Sequence, residues 1–271
     1  MPAAPELPRP FYQQWSRGRR SAAHALWRWH TALADPAPPA DVDGDLASFL
    51  AGEQARAEAG EPLRLLPEAV STAAYEACAE HALDRSLLAV QVSAAQALCG
   101  RIRFSTEADR SRFVGRWAVP HGRLLAGLAG VSMSVQLQYV DELARGFFYL
   151  NRLARLPHDL EQDRLFLPVE ALHEKDVSIE QLTAGDVTES VRALLWKESV
   201  RVRDALAQGR PLIAALSLRH RFALKRFWIG ALELLNELER RDYDLWGRPL
   251  GLPVVRQCQV YLQTLLGRSL S

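Results

Sequence analysis

The chain has 271 residues, of which 48% are hydrophobic, and its 33 basic and 32 acidic residues give a formal net charge of +1. This length can bury a large core in one or two domains, and we predict one all-helical domain. The near balance of charge gives no global attraction to nucleic acid, so we expect no nucleic-acid partner. Three widely spaced cysteines argue against a C-x-x-C zinc site and a disulfide framework, and they indicate a reducing compartment.

Residues 1–20 are predicted to be an N-terminal extension ahead of a helical domain of residues 21–271. The extension lacks the apolar core of a secretory signal, and no stretch reaches about 18 uninterrupted apolar residues. We therefore expect a cytoplasmic protein without a transmembrane segment, for which peripheral membrane contact stays open. The basic run at 219–226 alternates with aromatic and aliphatic residues, as on a helix face with snorkelling cations. Residues 36–45, PAPPADVDGD, are too rich in proline to fold alone.

Helix signals recur along the rest of the chain. Ser178 with Gln181 forms a capping box. From about Asp186, apolar residues recur at helical spacing and predict one buried stripe. The residues of this stripe are Val187, Val191, Leu194, Leu195, Val202 and Leu206. Gly209 ends that helix and Pro211 begins the next. No run alternates for long enough to predict a sheet.

Residues 151–168, NRLARLPHDLEQDRLFLP, carry the acidic pair Asp159 and Asp163 on a predicted helix. Carboxylates four residues apart share one helical face. Such a face can hold Mg²⁺, because this ion is commonly bound by one or two carboxylates together with substrate phosphate. Acidic pairs at this spacing are also common on solvated helices, so the spacing alone leaves both interpretations open.

The stretch from residue 151 to the later LERRDYDLWGRPL resembles the second half of the squalene/phytoene synthase family. In that family, a helix with an N-x-x-x-D-x-x-x-D pattern leads into a basic turn, an aromatic-Leu-Pro sequence, a short helix and a Ser-x-x-x-Leu segment. The positions in step are Asn151, Arg164, Phe166, Leu167, Pro168, Val177, Ser178 and Leu182. The resemblance implies an all-α, single-domain bundle of the isoprenoid synthase type around a central cavity.

Several positions depart from the family pattern. The N-x-x-x-D-x-x-x-D pattern is the family's second metal-binding motif. When it is aligned without a gap by counting back from Leu167 and Pro168, its two aspartates fall on Arg155 and Asp159, so a cation stands in the first acidic position. The family's glutamine ahead of the asparagine falls on Phe148, and the glycine of the basic turn falls on Asp163. The first aspartate-rich motif, near the N-terminus, retains only Asp35. The resemblance therefore implies degenerate metal motifs.

Three functions stay open on this basis. The favoured one is a pseudoenzyme of isoprenoid metabolism, impaired in catalysis, that binds a prenyl diphosphate or another apolar ligand without a cofactor. The second is an active prenyltransferase that condenses farnesyl or geranylgeranyl diphosphate, with Mg²⁺ on Asp159 and Asp163. The resemblance then places Asn151 and Arg164 near the diphosphate, and His158 could orient a carboxylate or the diphosphate. The third is an assembly factor that binds a protein partner.

Overall fold

The computed structural model describes residues 15–35, 46–99, 101–252, 256–257, 259–261 and 264. These residues form two compact units. The first unit contains the described residues up to 99 together with Phe113–Asp141, and the second contains Arg101–Arg112 together with the described residues from 142 onward. The predicted proline-rich segment at 36–45 and residues 1–14 of the predicted extension lie outside the described residues.

Helices make up most of the described chain. In chain order the elements are α1 (Arg17–Leu33), α2 (Leu46–Ala59), α3 (Glu68–Glu80), α4 (Ser86–Ala95), a 3₁₀ turn (Gln96–Leu98), β1 (Ile102–Phe104), α5 (Glu107–Leu128), α6 (Ser134–Ala154), α7 (Leu156–Glu161), β2 (Arg164–Pro168), α8 (Val169–Glu174), α9 (Ile179–Ala184), α10 (Glu189–Gly209), α11 (Pro211–Ala215) and α12 (Leu218–Arg240). The predicted all-α class is confirmed. Among the helices described, none combines the length and the apolar character that a bilayer crossing requires.

The predicted apolar stripe lies on α10, except for Val187, which precedes the helix. The Thr188 hydroxyl caps this helix by accepting a hydrogen bond from the backbone N–H of Val191 at 3.3 Å. The stripe residues on the helix are all buried, namely Val191, Leu194, Leu195, Val202 and Leu206. The capping box predicted at Ser178 and Gln181 is present at the start of α9.

Strands β1 and β2 form a short parallel pair that the sequence does not predict. Ile102 pairs with Arg164 and Phe104 with Pro168, and the register between them is irregular. The strands have only three and five residues, and β2 is buried along most of its length, so its side chains do not alternate between polar and apolar. This pairing fixes the position of the chain directly after Asp163.

In the first unit, α1 packs on α3 and α2 packs on α4. Both helices of the first pair bury alanines, and such small side chains let neighbouring backbones approach closely. The buried alanines are Ala22, Ala23, Ala74 and Ala77. The fully buried Trp29 of α1 lies with its ring centroid 5.6 Å from that of Tyr75 of α3.

A stacked pair of histidine rings lies in the same unit. The rings of His30 on α1 and His121 on α5 are nearly parallel, with centroids 4.2 Å apart. The Gln91 amide nitrogen lies 3.0 Å from Nδ1 of His30 and donates to the Trp117 carbonyl at 3.0 Å. Within the described residues, neither ring nitrogen of His121 has a hydrogen-bond partner. Burial lowers the pKa of His121 to about 3, so this ring is neutral near neutral pH.

In the second unit, Leu206 of α10 links three helices. Gly146 of α6 lies so close to it that an added Cβ would meet the Leu206 side chain at 3.1 Å. On α12, the Trp228 indole N–H donates to the Leu206 carbonyl at 2.9 Å. A methyl group at position 146 would therefore require the Leu206 side chain to shift by a few tenths of an ångström.

The neutral, buried state of His121 predicts a dependence of stability on pH. An unfolded histidine takes up a proton below its ordinary pKa of 6.5, whereas folded His121 does so only near a pKa of about 3. Between about pH 7 and about pH 5, the free energy of unfolding of the native chain should fall by about 2 kcal/mol more than that of His121→Phe. Urea denaturation at a series of pH values measures this difference, and parallel pH profiles for the two chains would contradict it.

Candidate functional site

The helix predicted through the acidic stretch is interrupted at Arg155. α6 ends just before this residue, α7 begins just after it, and Arg155 itself has φ −101° and ψ 5°. Pro157 has no N–H to donate to the carbonyl of Leu153, which accounts for the break. The backbone N–H of Asp159 donates to the Arg155 carbonyl at 2.8 Å. Asp159 therefore lies one turn beyond Arg155.

The carboxylate of Asp159 is enclosed by two arginines. The residue is only 2% exposed. Arg152 donates through Nη1 to both carboxylate oxygens, at 3.3 and 3.2 Å, and Nε of Arg155 lies 3.8 Å from Oδ1. Burial raises the pKa of Asp159 above its ordinary value, and the attraction of the two arginines opposes the rise. The cations beside this carboxylate are therefore supplied by the protein itself.

Aromatic rings hold Arg152 in addition to Asp159. The guanidinium carbon lies 5.5 Å from the ring centroid of Phe148 and 4.5 Å from that of Phe166. The two rings contact each other edge to face at 5.9 Å. Burial lowers the pKa of Arg152 while Asp159 opposes the shift, and an arginine stays charged over the physiological range. Position 148, where the family pattern has glutamine, thus offers a ring face to a cation.

Asp163 lies outside α7, so the expectation that Asp159 and Asp163 share one helical face is wrong. With φ +54°, Asp163 forms a left-handed turn between α7 and β2, at the position where the family pattern has glycine. Its exposed carboxylate bonds to Arg103 and lies 3.3 Å from Nε of Arg101. Arg103 also donates to the Asp163 carbonyl at 2.8 Å. The two carboxylates therefore pair with different arginines.

These residues do not fit a Mg²⁺ ion. Mg²⁺ requires oxygen ligands with near-octahedral geometry, and an added cation here would meet guanidinium groups on both carboxylates. Arg155 moreover lies 3.8 Å from the Asp159 carboxylate, where its charge would repel such an ion. In the part of the chain that the structure describes, no three His, Cys, Asp or Glu side chains are grouped to hold a metal. The geometry gives no support to a metal role for Asp159 and Asp163.

The residues predicted to bind substrate have different environments. Asn151 and His158 are exposed, and Arg164 is half-buried at the start of β2. His158 lies 3.5 Å from the Glu161 carboxylate and 3.2 Å from the Gln162 side-chain nitrogen. Of the three, the half-buried Arg164 lies close enough to Arg152 to influence its pKa.

An arginine cluster, defined here as Arg152, Arg155 and Arg164, centres on Arg152, and two of its members, Arg152 and Arg155, pair with Asp159. Both Arg155 and Arg164 lower the pKa of Arg152 by repulsion. The three guanidinium groups therefore lie within electrostatic range of one another. The sequence identifies Arg155 and Arg164 through the family pattern, but Arg152 carries no such signal because its role depends on rings at positions 148 and 166.

A second ionic network in this unit was not predicted from the sequence. Arg110 is 2% exposed and donates to Glu198 at 2.7 and 3.3 Å and to Glu107 at 2.6 Å. Arg201 bonds to the same two glutamates, at 2.6 and 2.9 Å, and the Arg110 guanidinium lies over the Tyr149 ring at 4.8 Å. Two of these four pairs, Glu107 with Arg110 and Glu198 with Arg201, have the i,i+3 spacing of neighbours on a helix, which a sequence can reveal. The pairing between positions 110 and 198 has no local signal.

The space between the arginine cluster and the network of Arg110 and Glu198 is small. The crevice lined by Arg110, Phe148, Arg152, Asp159 and Glu198 measures about 10 Å³, which holds at most one water molecule. A wider groove of about 570 Å³ in the same unit carries three acids and three bases, so its charges cancel. Its charged residues are Glu107, Glu142, Asp204, Arg145, Lys197 and Arg201. The charges that line the crevice, two arginines and two acids, cancel as well.

Comparisons with known proteins agree with the pattern in the second unit. Residues 9–259 match the squalene/phytoene synthase family profile. The phytoene synthase of Thermus thermophilus is 31% identical over 164 residues, which are 57% of this chain and 56% of that protein. The chloroplastic phytoene synthase of Narcissus pseudonarcissus is 26% identical over 48% of this chain and 31% of that protein. The matched segments thus span about half or less of these relatives.

Two solved structures share the fold. The squalene synthase HpnC from Alicyclobacillus acidocaldarius has a TM-score of 0.72 at 20% identity, covering 87% of this chain and 89% of that one. A dehydrosqualene synthase solved in complex with ligand has a TM-score of 0.75 at 14% identity, covering 95% and 89%. At such identities the likeness establishes the fold alone. Because the family profile matches most of the sequence, the chain belongs to the squalene/phytoene synthase family.

Proposed function

We propose that this chain is a squalene/phytoene synthase family member that binds an isoprenoid diphosphate through arginines and is impaired in Mg²⁺-dependent condensation. One observation carries the proposal: the Asp159 carboxylate is occupied by Arg152 and Arg155, and Arg155 stands at an acidic position of the family pattern. The similar proteins, a phytoene synthase and a squalene synthase, point to isoprenoid diphosphates as the substrate class.

The charge of the arginine cluster matches that ligand. A diphosphate carries at least two negative charges near neutral pH, and the three arginines of the cluster lie within electrostatic range of one another. Guanidinium groups match phosphate oxygens with parallel N–H donors, and they need no metal to do so. Arg155 is 44% exposed at its side chain, so it can reach a ligand while Asp159 and the aromatic rings hold Arg152 in place.

Arginines paired with a carboxylate favour ligand binding over reaction. Rate is gained only from interactions that strengthen as charge develops on the departing diphosphate. A guanidinium carries one positive charge, here partly offset by Asp159, so it stabilises the developing charge less than a divalent metal ion would. The active prenyltransferase with Mg²⁺ on Asp159 and Asp163, and the assembly factor, remain hypotheses without a specific observation in their favour.

Binding of farnesyl and geranylgeranyl diphosphate tests the proposal directly. By calorimetry, the native chain should bind at least one of them with the same affinity in EDTA as in Mg²⁺, because its own cations neutralise the diphosphate. Arg155→Asp should weaken this binding about tenfold or more in EDTA, through loss of a charge-assisted hydrogen bond and gain of repulsion. Incubation with Mg²⁺ should yield no C30 or C40 hydrocarbon.

Arg112→Asp is the matched control, because Arg112 is an exposed arginine of the same unit, 68% exposed at its side chain, that pairs with Asp109. It should leave the affinity unchanged. A metal-dependent hydrocarbon product, or binding that disappears in EDTA, would overturn the proposal.

The structural role of Asp159 predicts a loss of stability in Asp159→Asn. This change removes the main counter-ion of the half-buried Arg152, so the free energy of unfolding should fall by about 3 kcal/mol. Asp163→Asn, the comparison variant, alters an exposed carboxylate and should cost less than about 1 kcal/mol. Urea denaturation without added metal distinguishes the two variants. If the acids instead formed an empty metal site, neutralising either one would relieve repulsion and leave stability equal or higher.

A further inference from the structure

One segment of the chain has a charge composition unlike the rest. Residues 205–232 contain no Asp or Glu but five Lys or Arg residues, although the whole chain has 33 basic and 32 acidic residues. The segment includes α11 and the first two thirds of α12. A run of cations without acids keeps an uncompensated positive charge and attracts anionic surfaces.

The first two turns of α12 present part of this charge on an outward stripe. Leu218, Arg221, Phe222 and Lys225 are spaced i, i+3, i+4 and i+7, which places them on one helical face. Leu218 is 80% exposed, the largest exposure among the large hydrophobic residues described. Arg221 is also exposed, and Phe222 and Lys225 are partly exposed. The stripe therefore mixes apolar and cationic side chains at the surface.

Tyr261 extends the stripe sideways. Its ring is 42% exposed and contacts Phe222 edge to face, with centroids 6.0 Å apart. The guanidinium of Arg226 lies over the same ring at 5.2 Å. Leu218, Arg221, Phe222, Lys225, Arg226 and Tyr261 are called the basic-apolar patch below. An aromatic ring with a polar tip beside cations is typical of groups that lie at a membrane–water interface.

We propose that the basic-apolar patch docks on the surface of an anionic lipid bilayer. Leu218 and Phe222 enter the boundary between headgroups and acyl chains, while Lys225 and Arg226 pair with lipid phosphates. The exposed leucine favours this partner over nucleic acid, whose binding relies on phosphate and base contacts and gives an aliphatic side chain little to pack against. The inference does not depend on isoprenoid diphosphate binding, because the arginine cluster and the patch share no residue.

Sedimentation of the full chain with vesicles tests the docking. The chain should bind vesicles of mixed phosphatidylcholine and phosphatidylglycerol, should leave vesicles of phosphatidylcholine alone, and should dissociate as ionic strength rises. Lys225→Glu should weaken the partition coefficient about tenfold or more. Leu218→Ser should weaken it by roughly the same factor, because an inserted leucine is lost.

Two controls separate the patch from general surface effects. Trp196→Ser removes an exposed hydrophobic residue from a stretch of mixed charge, and Arg112→Glu reverses an exposed cation elsewhere. Both should bind vesicles like the native chain, and circular dichroism should show that all variants fold. Equal binding by Leu218→Ser and the native chain would overturn the proposal, as would binding to neutral vesicles. The proposal would also be overturned if the chain bound single-stranded DNA, in a salt-sensitive manner, more tightly than it bound anionic vesicles.

Discussion

A half-buried guanidinium requires a counter-ion, and Arg152 imposes this requirement on the whole acidic stretch. Asp159 meets it, at the cost of a desolvation that raises its own pKa. The carboxylate lies beside Arg152 because the helix is interrupted at Arg155 and continues as the short helix α7. A left-handed turn at Asp163 then leads into β2. The strand that follows then places Phe166 against the same guanidinium. The acid that the family pattern assigns to a metal is thus committed to the local fold.

Ion pairing follows the same logic elsewhere in the second unit. Arg110, buried in the unit, lies between Glu107 and Glu198, and Arg201 closes the network, so two arginines meet two carboxylates. Local pairing of this kind gives the buried Arg110 and Glu198 their counter-ions. Residues 205–232 lack acids, so their five cations have no counter-ion within the segment itself.

The sequence predicts those features that depend on neighbours within one or two turns. The α10 stripe and the Ser178 capping box have local signals, and both are present. The stack of His30 on His121 and the β1–β2 pair join residues some sixty to ninety positions apart, so no local pattern reveals them. The failed expectation of one helix through Asp159 and Asp163 had no such signal, because Pro157 interrupts the chain at Arg155 but is tolerated in the first turn of α7, which then ends at Glu161.

A protein guanidinium in a metal position changes which kind of function a site can perform. It supplies a positive charge of fixed location, which is sufficient to hold a diphosphate in the ground state. Its charge is partly offset by Asp159, so it stabilises the negative charge that develops on a leaving group less than a divalent metal ion would. In the function proposed above, arginines in this arrangement therefore support ligand affinity more than turnover.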